Sequence, residues 1–128
     1  MVIYPPTKIK LQKSNTHGIG VFCSKQISRG EIIEQCSFLV IQNHRNKPLH
    51  VFIDHAYVWP KSVNWREYVL VMGYGSFYNH SSEPNVDWVT KENENIFEYF
   101  AIKDIKEGEE LFINYGMEIN FPIKKPNG

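Results

Sequence analysis

The chain has 128 residues, enough for one domain with a modest core. Its 14 basic residues are matched by 14 acidic ones, so no positive excess exists to drive direct, sequence-independent binding to nucleic acid. No apolar run reaches the ~20 residues of a membrane span, and Met1–Pro6 is too short and too broken by proline to serve as a signal peptide; an intracellular protein is the expectation.

Eight Phe and seven Tyr favour strands and aromatic-lined pockets. Polar and apolar residues alternate from Lys8 to Lys13, the pattern of a half-exposed strand. Ser14 to Gly18 reads as a turn. Ile19–Ser24, Ile32–Cys36 and Phe38–Ile41 read as buried strands, and Gln42–His50 as an exposed polar loop. Val51–Trp59 is apolar and aromatic, and Pro60-Lys61-Ser62 breaks it. Trp65–Met72 fits helix or strand, with Val69-Leu70-Val71 leaning to strand. Asn85–Thr90 and Ile96–Ala101 flank Lys91–Asn95, a loop of hairpin length. Leu111–Tyr115 is the last predicted strand, and Met117–Gly128 is a tail. Many short strands with little helical periodicity argue for a mainly β fold.

The chain also echoes itself. Lys25-Gln26-Ile27-Ser28-Arg29-Gly30-Glu31 resembles Lys103-Asp104-Ile105-Lys106-Glu107-Gly108-Glu109, with Lys, Ile, Gly and Glu at one offset. Two surface turns could share these residues by chance, because turns favour them. The alternative is a β fold with two related halves.

Cys23 and Cys36 are the only cysteines, and a structural zinc site normally takes four N or S ligands. Reduced core cysteines are therefore expected. His44, His50 and His55 fit no helical face and read as part of a solvated loop, so no metal is expected.

The densest chemistry lies in Gly73–Asn85. Two glycines permit close backbone approach, and Asn79-His80-Ser81-Ser82 sets four polar side chains in a row before the turn at Pro84-Asn85. A polar knot of this kind between apolar strands is costly unless used or fully hydrogen-bonded. Asn79-His80-Ser81 followed by Pro84-Asn85 resembles the NHSxxPN signature of SET-domain protein lysine methyltransferases. Glu110-Leu111 with Asn114-Tyr115 is similar to their ELxxDY motif, with Asn in place of Asp, and Gly18-Ile19-Gly20 to their GxG. The resemblance covers residues 8–116 and is closest to small stand-alone members of viral and bacterial type, which lack the cysteine-rich zinc segment that closes the lysine channel elsewhere.

The resemblance implies a single SET domain over residues 1–128, with its core in 8–116 and a C-terminal tail in 117–128. Its fold is a β-clip of short curved sheets with a knot-like threading, in which the segment ending at Tyr115 passes beneath a loop near Asn79-His80. It implies transfer of a methyl group from S-adenosylmethionine to a lysine amine in a protein or peptide, leaving S-adenosylhomocysteine; histone tails are the commonest targets. Tyr115 becomes the channel tyrosine and is placed at both the catalytic and the cofactor sites, although alone it reads as a tyrosine ending a strand. Tyr57 matches a second channel tyrosine, placed with Tyr115 at the catalytic site, or is a packing residue. Tyr74, Phe77 and Tyr78 are channel or core aromatics. Gly18, Ile19, Gly20, Asn79 and His80 fall in the cofactor site, and Phe121 of the tail joins it where a post-SET segment is lacking. A homodimer is expected from the small members. The competing readings are a catalytically idle SET-like module that holds peptide and a β-clip domain of another kind that binds a carbohydrate or small molecule.

Overall fold

The structure, a computed structural model, describes residues 3–43, 57–59, 67–91 and 93–114. The alternation at the N-terminus forms β1 (Ile9–Lys13), an edge strand with only Ile9 buried. It pairs antiparallel with β2 (Ile19–Cys23), from Ile9 opposite Cys23 to Lys13 opposite Ile19. β2 lies inside the sheet, and its apolar run from Val21 to Cys23 is buried. The order is β1-β2-β10-β7, where β10 is Glu110–Ile113 and β7 is Asn79–His80.

A second sheet has the order β3-β9-β8, from Ile32–Cys36, Ile96–Ala101 and Val86–Lys91. The expected hairpin joins β8 to β9, closed by Glu94 N–H donating to Lys91 O at 3.0 Å, with Asn95 at φ 56°. Asn tolerates this left-handed backbone better than most residues. The third sheet is β4-β6-β5, from Phe38–Asn43, Glu67–Val71 and Tyr57–Trp59. The ambiguous Trp65–Met72 segment thus resolves as strand within its described part, with Val69 and Val71 both buried at a spacing of two.

Phe97 anchors the aromatic core. Trp88 stacks on it with centroids 5.2 Å apart, and Tyr57 and Phe38 meet it edge-on at 5.2 and 5.8 Å. Such pairs add about 0.5–1.5 kcal/mol each beyond simple burial. Cys23 and Cys36 are buried and not disulfide-bonded, as free core thiols were expected to be.

The internal echo is a true pseudo-twofold. Ile27 and Ile105 form an antiparallel bridge, each N–H donating to the other's carbonyl, at 2.9 and 2.8 Å. Gly30 N–H donates to Ala101 O and Gly108 N–H to Cys23 O, both at 2.8 Å. Inside each turn the Glu carboxylate accepts a backbone N–H three residues back, Ser28 to Glu31 and Lys106 to Glu109. Gly30 and Gly108 sit at φ 88° and 90°, a region where a Cβ is strained. The shared residues are therefore those the turn geometry demands, and the related halves of the β-clip meet at this bridge.

Beyond one-residue shifts at the ends of β1, β2 and β8, and a β4 whose Leu39 and Val40 stand about half exposed rather than buried, three features differ from the sequence expectation. β4 continues to Asn43, past a bulge between Val40 and Gln42, because β6 supplies pairing partners as far as Glu67. The last strand begins at Glu110 and ends at Ile113. Asn79-His80 was not expected as a strand: its two residues pair in parallel with β10, Asn79 beside Phe112 and His80 beside Ile113. Residues 44–56, Pro60-Lys61-Ser62, Trp65, Tyr115 and the 117–128 tail with Phe121 lie outside the described residues, as do His44, His50 and His55. Among the described residues, no helix is long and apolar enough to cross a membrane and no group of His, Cys, Asp and Glu could hold a metal ion.

Candidate functional site

The short β7 strand lays the start of the polar knot alongside β10. Asn79 is only 5% exposed, so its amide needs partners. Its Nδ2 donates to His17 O at 3.0 Å, to Glu110 Oε2 at 2.8 Å and, more weakly, to Ile19 O at 3.5 Å. Three distant segments meet at this one amide: the Gly18-Ile19-Gly20 turn, β7 and the start of β10. Asn79 Oδ1 accepts from none of the described residues.

Glu110 ties the same segments together from the other side. Its Oε1 accepts from Ser14 Oγ at 2.7 Å. Ser14 also organises the Gly18 turn, with Thr16 N–H donating to its hydroxyl at 3.0 Å and its own N–H donating to Gly18 O at 2.7 Å. Gly20 passes directly beneath. A Cβ there would stand 2.2 Å from Glu110 Oε2 and 3.0 Å from Asn79 Nδ2, so the glycine permits this close approach.

Asn85 fixes β10 against the turn after β7. Its Nδ2 donates to Glu110 O at 2.9 Å, and its Oδ1 accepts from Phe112 N–H at 2.7 Å. Ser81 N–H donates to Ile113 O at 3.0 Å. These contacts lay the segment leading towards Tyr115 alongside Asn79-His80. His80 is half-buried, and burial holds its imidazole below the ordinary range, which favours the neutral ring at pH 7.

The aromatic candidates divide. Tyr74 and Phe77 are half-buried at either end of a single 3-10 turn, Gly75–Phe77, and pack on the core. Tyr57 is 2% exposed, donates its hydroxyl to Gly75 O at 2.8 Å and meets Trp88 and Phe97 edge-on. Tyr78 is fully buried, stacked on Tyr99 with centroids 4.6 Å apart. Gly18, Ile19, Gly20, Asn79 and His80 are brought together; Tyr57 sits in the core against the Gly75–Phe77 turn. Tyr115 and Phe121 lie outside the described residues. Glu110 and Asn85 stand in the quoted motifs, yet their role in gathering the segments was not read from them, and Ser14 showed only as a turn residue.

Glu34, on β3, was missed altogether. It is 4% exposed, and burial raises its carboxyl above the ordinary value of 4.5, partly offset by donors from Tyr78, Cys36 and Tyr74. The folded protein therefore holds this proton more tightly than the unfolded chain does. The group's contribution to stability is greatest below its unfolded pKa and is lost as pH rises through the raised folded one. Subtracting the unfolding free energy of Glu34→Gln from that of the parent should give a difference that falls as pH rises from the ordinary glutamate range, about 4, through the raised folded pKa in urea titrations. A difference that grows with pH contradicts this.

Three curled sheets, two related halves and a buried Asn on a strand beside the last one define a β-clip protein with one composite site. Residues 18–116 match the SET domain family, and the chain belongs to it. It is 28% identical over 116 residues to a Schizosaccharomyces pombe protein named histone-lysine N-methyltransferase, H3 lysine-37 specific, over 88% of this chain and 76% of that one. It is 30% identical over 105 residues to the Homo sapiens protein-lysine N-trimethyltransferase SMYD5, over 78% of this chain but 24% of that one. Among solved structures it is similar to a Plasmodium falciparum candidate histone methyltransferase, with a TM-score of 0.69 and 32% identity, over 86% of this chain and 94% of that one.

Proposed function

We propose that this chain transfers a methyl group from S-adenosylmethionine to the side-chain amine of a lysine in a protein. The observation that supports it most directly is the Asn79 amide, buried on β7 and turned by acceptors on the GxG turn and β10. The acceptor set suits the cofactor. An acceptor-rich corner of His17 O, Ile19 O, Glu110 and Asn79 Oδ1 matches the ammonium of a methionine moiety. When bound, the cofactor supplies an electrophilic methyl on a sulfonium.

The protein's own work is positional. Gly18, Ile19, Gly20, Asn79 and His80 hold the cofactor. Tyr115, with Tyr74 and Phe77, lines the channel through which the amine arrives, and Tyr57 backs that wall from the core. The amine attacks only when neutral, and a lysine free in water has a pKa of about 10.4. Desolvation in an aromatic channel lowers it. The Tyr115 hydroxyl orients the nitrogen, and Phe121 covers the site from the tail. No metal and no protein nucleophile takes part. Holding the reacting groups in line can account for a large share of the barrier.

Histones are the first class of substrate to try, because the Schizosaccharomyces pombe relative is named for H3. The peptide is expected to bind extended along a sheet edge, where main-chain hydrogen bonds make little demand on sequence. The test is labelled methyl transfer from S-adenosylmethionine onto purified core histones and onto whole-cell extract, with the acceptor residue identified by mass spectrometry. Label on lysine is the expected result. Cofactor binding without transfer onto any protein would favour the idle peptide-holding module.

Asn79→Ala should weaken S-adenosylmethionine binding by about 1–3 kcal/mol, since Glu110 and the His17 carbonyl lose their donor. Calorimetry on the folded variant checks it, and an unchanged affinity would remove Asn79 from the site.

A further inference from the structure

A buried carboxylate grips the turn that leads into Asn79. Glu34 stands on β3 just after a bulge between Ile32 and Glu34, which sets it opposite Tyr99. Its two oxygens reach the two ends of one short segment. Oε2 accepts from Tyr74 N–H at 3.4 Å, and Oε1 accepts from Tyr78 OH at 2.7 Å. Between those ends, Gly75 O accepts from Tyr57 OH at 2.8 Å and from Tyr99 OH at 3.4 Å. Ser76 Oγ donates to Val71 O at 2.8 Å. Each of these bonds runs from the Tyr74–Tyr78 turn down into the core, and the next residue is Asn79.

Burying a charge is a poor way to gain stability, because desolvation offsets the attraction and a well-packed apolar pair can do as well. A carboxylate offers something an apolar side chain lacks: two acceptors at fixed separation, each demanding a donor in a set direction. Besides the Cys36 thiol, the donors are two groups of the turn, a main-chain N–H and the hydroxyl of a fully buried tyrosine, which is itself clamped by its stack on Tyr99. The turn is therefore held at both ends, with little freedom to slide along the core. A site needs its contacting groups supported by neighbours whose own positions are locked.

We propose that Glu34 is a positioning residue of the cofactor site: by holding Tyr74 and Tyr78 together it sets where Asn79 stands over the Gly18–Gly20 turn. Glu34 does not touch the cofactor and acts through Tyr78. The inference rests on reading Asn79 as a cofactor contact.

The test separates position from stability with a mutant cycle. Tyr78→Phe keeps the ring and its stack but removes the hydroxyl, leaving Glu34 Oε1 buried without its donor. Glu34→Met keeps length and removes both acceptors. The double variant sets two apolar groups where the Glu34–Tyr78 bond stood, and only the Tyr74 N–H loses its carboxylate acceptor. Urea unfolding reports stability, and calorimetry with S-adenosylhomocysteine reports the site. Both single variants should be less stable than the parent, and the double variant should regain part of that loss, because two apolar partners of similar shape leave little unsatisfied. Affinity for S-adenosylhomocysteine should fall on the order of tenfold in Tyr78→Phe and stay down in the double variant, since displacement of a contact group is not repaired by apolar packing.

Recovery of affinity together with stability in the double variant would make the pair merely structural and overturn the proposal. So would parent-like affinity in Tyr78→Phe, which decides the matter alone if Glu34→Met does not fold. A parent chain that fails to bind S-adenosylhomocysteine overturns the methyltransferase reading itself, and the proposal falls with it. A parent that binds, with variants that bind equally well, overturns only the role of Glu34.

Discussion

Tyr115→Phe is expected to lower methyl transfer by about 10²–10³ while leaving the protein folded and able to bind cofactor, the usual consequence of losing one contact made in the transition state. The substitution keeps the ring and deletes one hydroxyl. If that hydroxyl orients the amine only along the reaction path, cofactor affinity should change little, because the groups proposed to hold the cofactor lie on the Gly18–Gly20 turn and on β7. Stability should drop by about 1 kcal/mol or less, the worth of one neutral hydrogen bond. Single-turnover transfer, cofactor titration and thermal unfolding on one preparation decide it. A held rate with lowered stability would make Tyr115 a core residue. Loss of both rate and affinity would mean that it shapes the pocket rather than the reaction.

Gly20→Ala is expected to damage the site from beneath, costing about 3 kcal/mol of stability and most of the cofactor affinity. The added methyl would stand 2.2 Å from Glu110 Oε2, so one of the two has to move. A surface glutamate would swing away cheaply. Glu110 is tied on both oxygens, to Ser14 and to Asn79, and its movement leaves the Asn79 amide without its charged acceptor. The check is urea unfolding beside calorimetry with S-adenosylmethionine. Adding Glu110→Ala to Gly20→Ala should relieve the clash without restoring affinity. Unchanged stability and binding in Gly20→Ala would show that Glu110 does not hold the site together.

Much of the fold was legible because it depends on local pattern. The alternation at Lys8–Lys13, the apolar runs of β2 and β3, and the hairpin between β8 and β9 follow from which face each residue must bury. The echo of Lys25–Glu31 in Lys103–Glu109 was visible as residues but undecided as structure. Only the Ile27–Ile105 bridge shows that the two turns face each other.

Asn79 shows where local reading stops. Its motif marked it as a cofactor residue, yet nothing around it suggested a strand. Two residues form a strand only when another part of the chain supplies a ladder, and here β10 does so from over thirty residues away. Glu34 was less visible still. Nothing in Ile33-Glu34-Gln35 marks the glutamate as special, and it is buried with partners because Tyr74 and Tyr78 arrive over it.

By itself, the sequence determined the mainly β class, the positions of most strands, the turn glycines and the motif residues of the site, since each rests on side-chain periodicity or on a backbone angle that few residues adopt. Only the tertiary structure decided which distant groups meet: Asn79 with Glu110 and the Gly18–Gly20 turn, Asn85 with β10, and Glu34 with Tyr78. Those pairings depend on how three small sheets curl around one aromatic core, and a buried polar group finds its partner only once that packing has brought the partner to it.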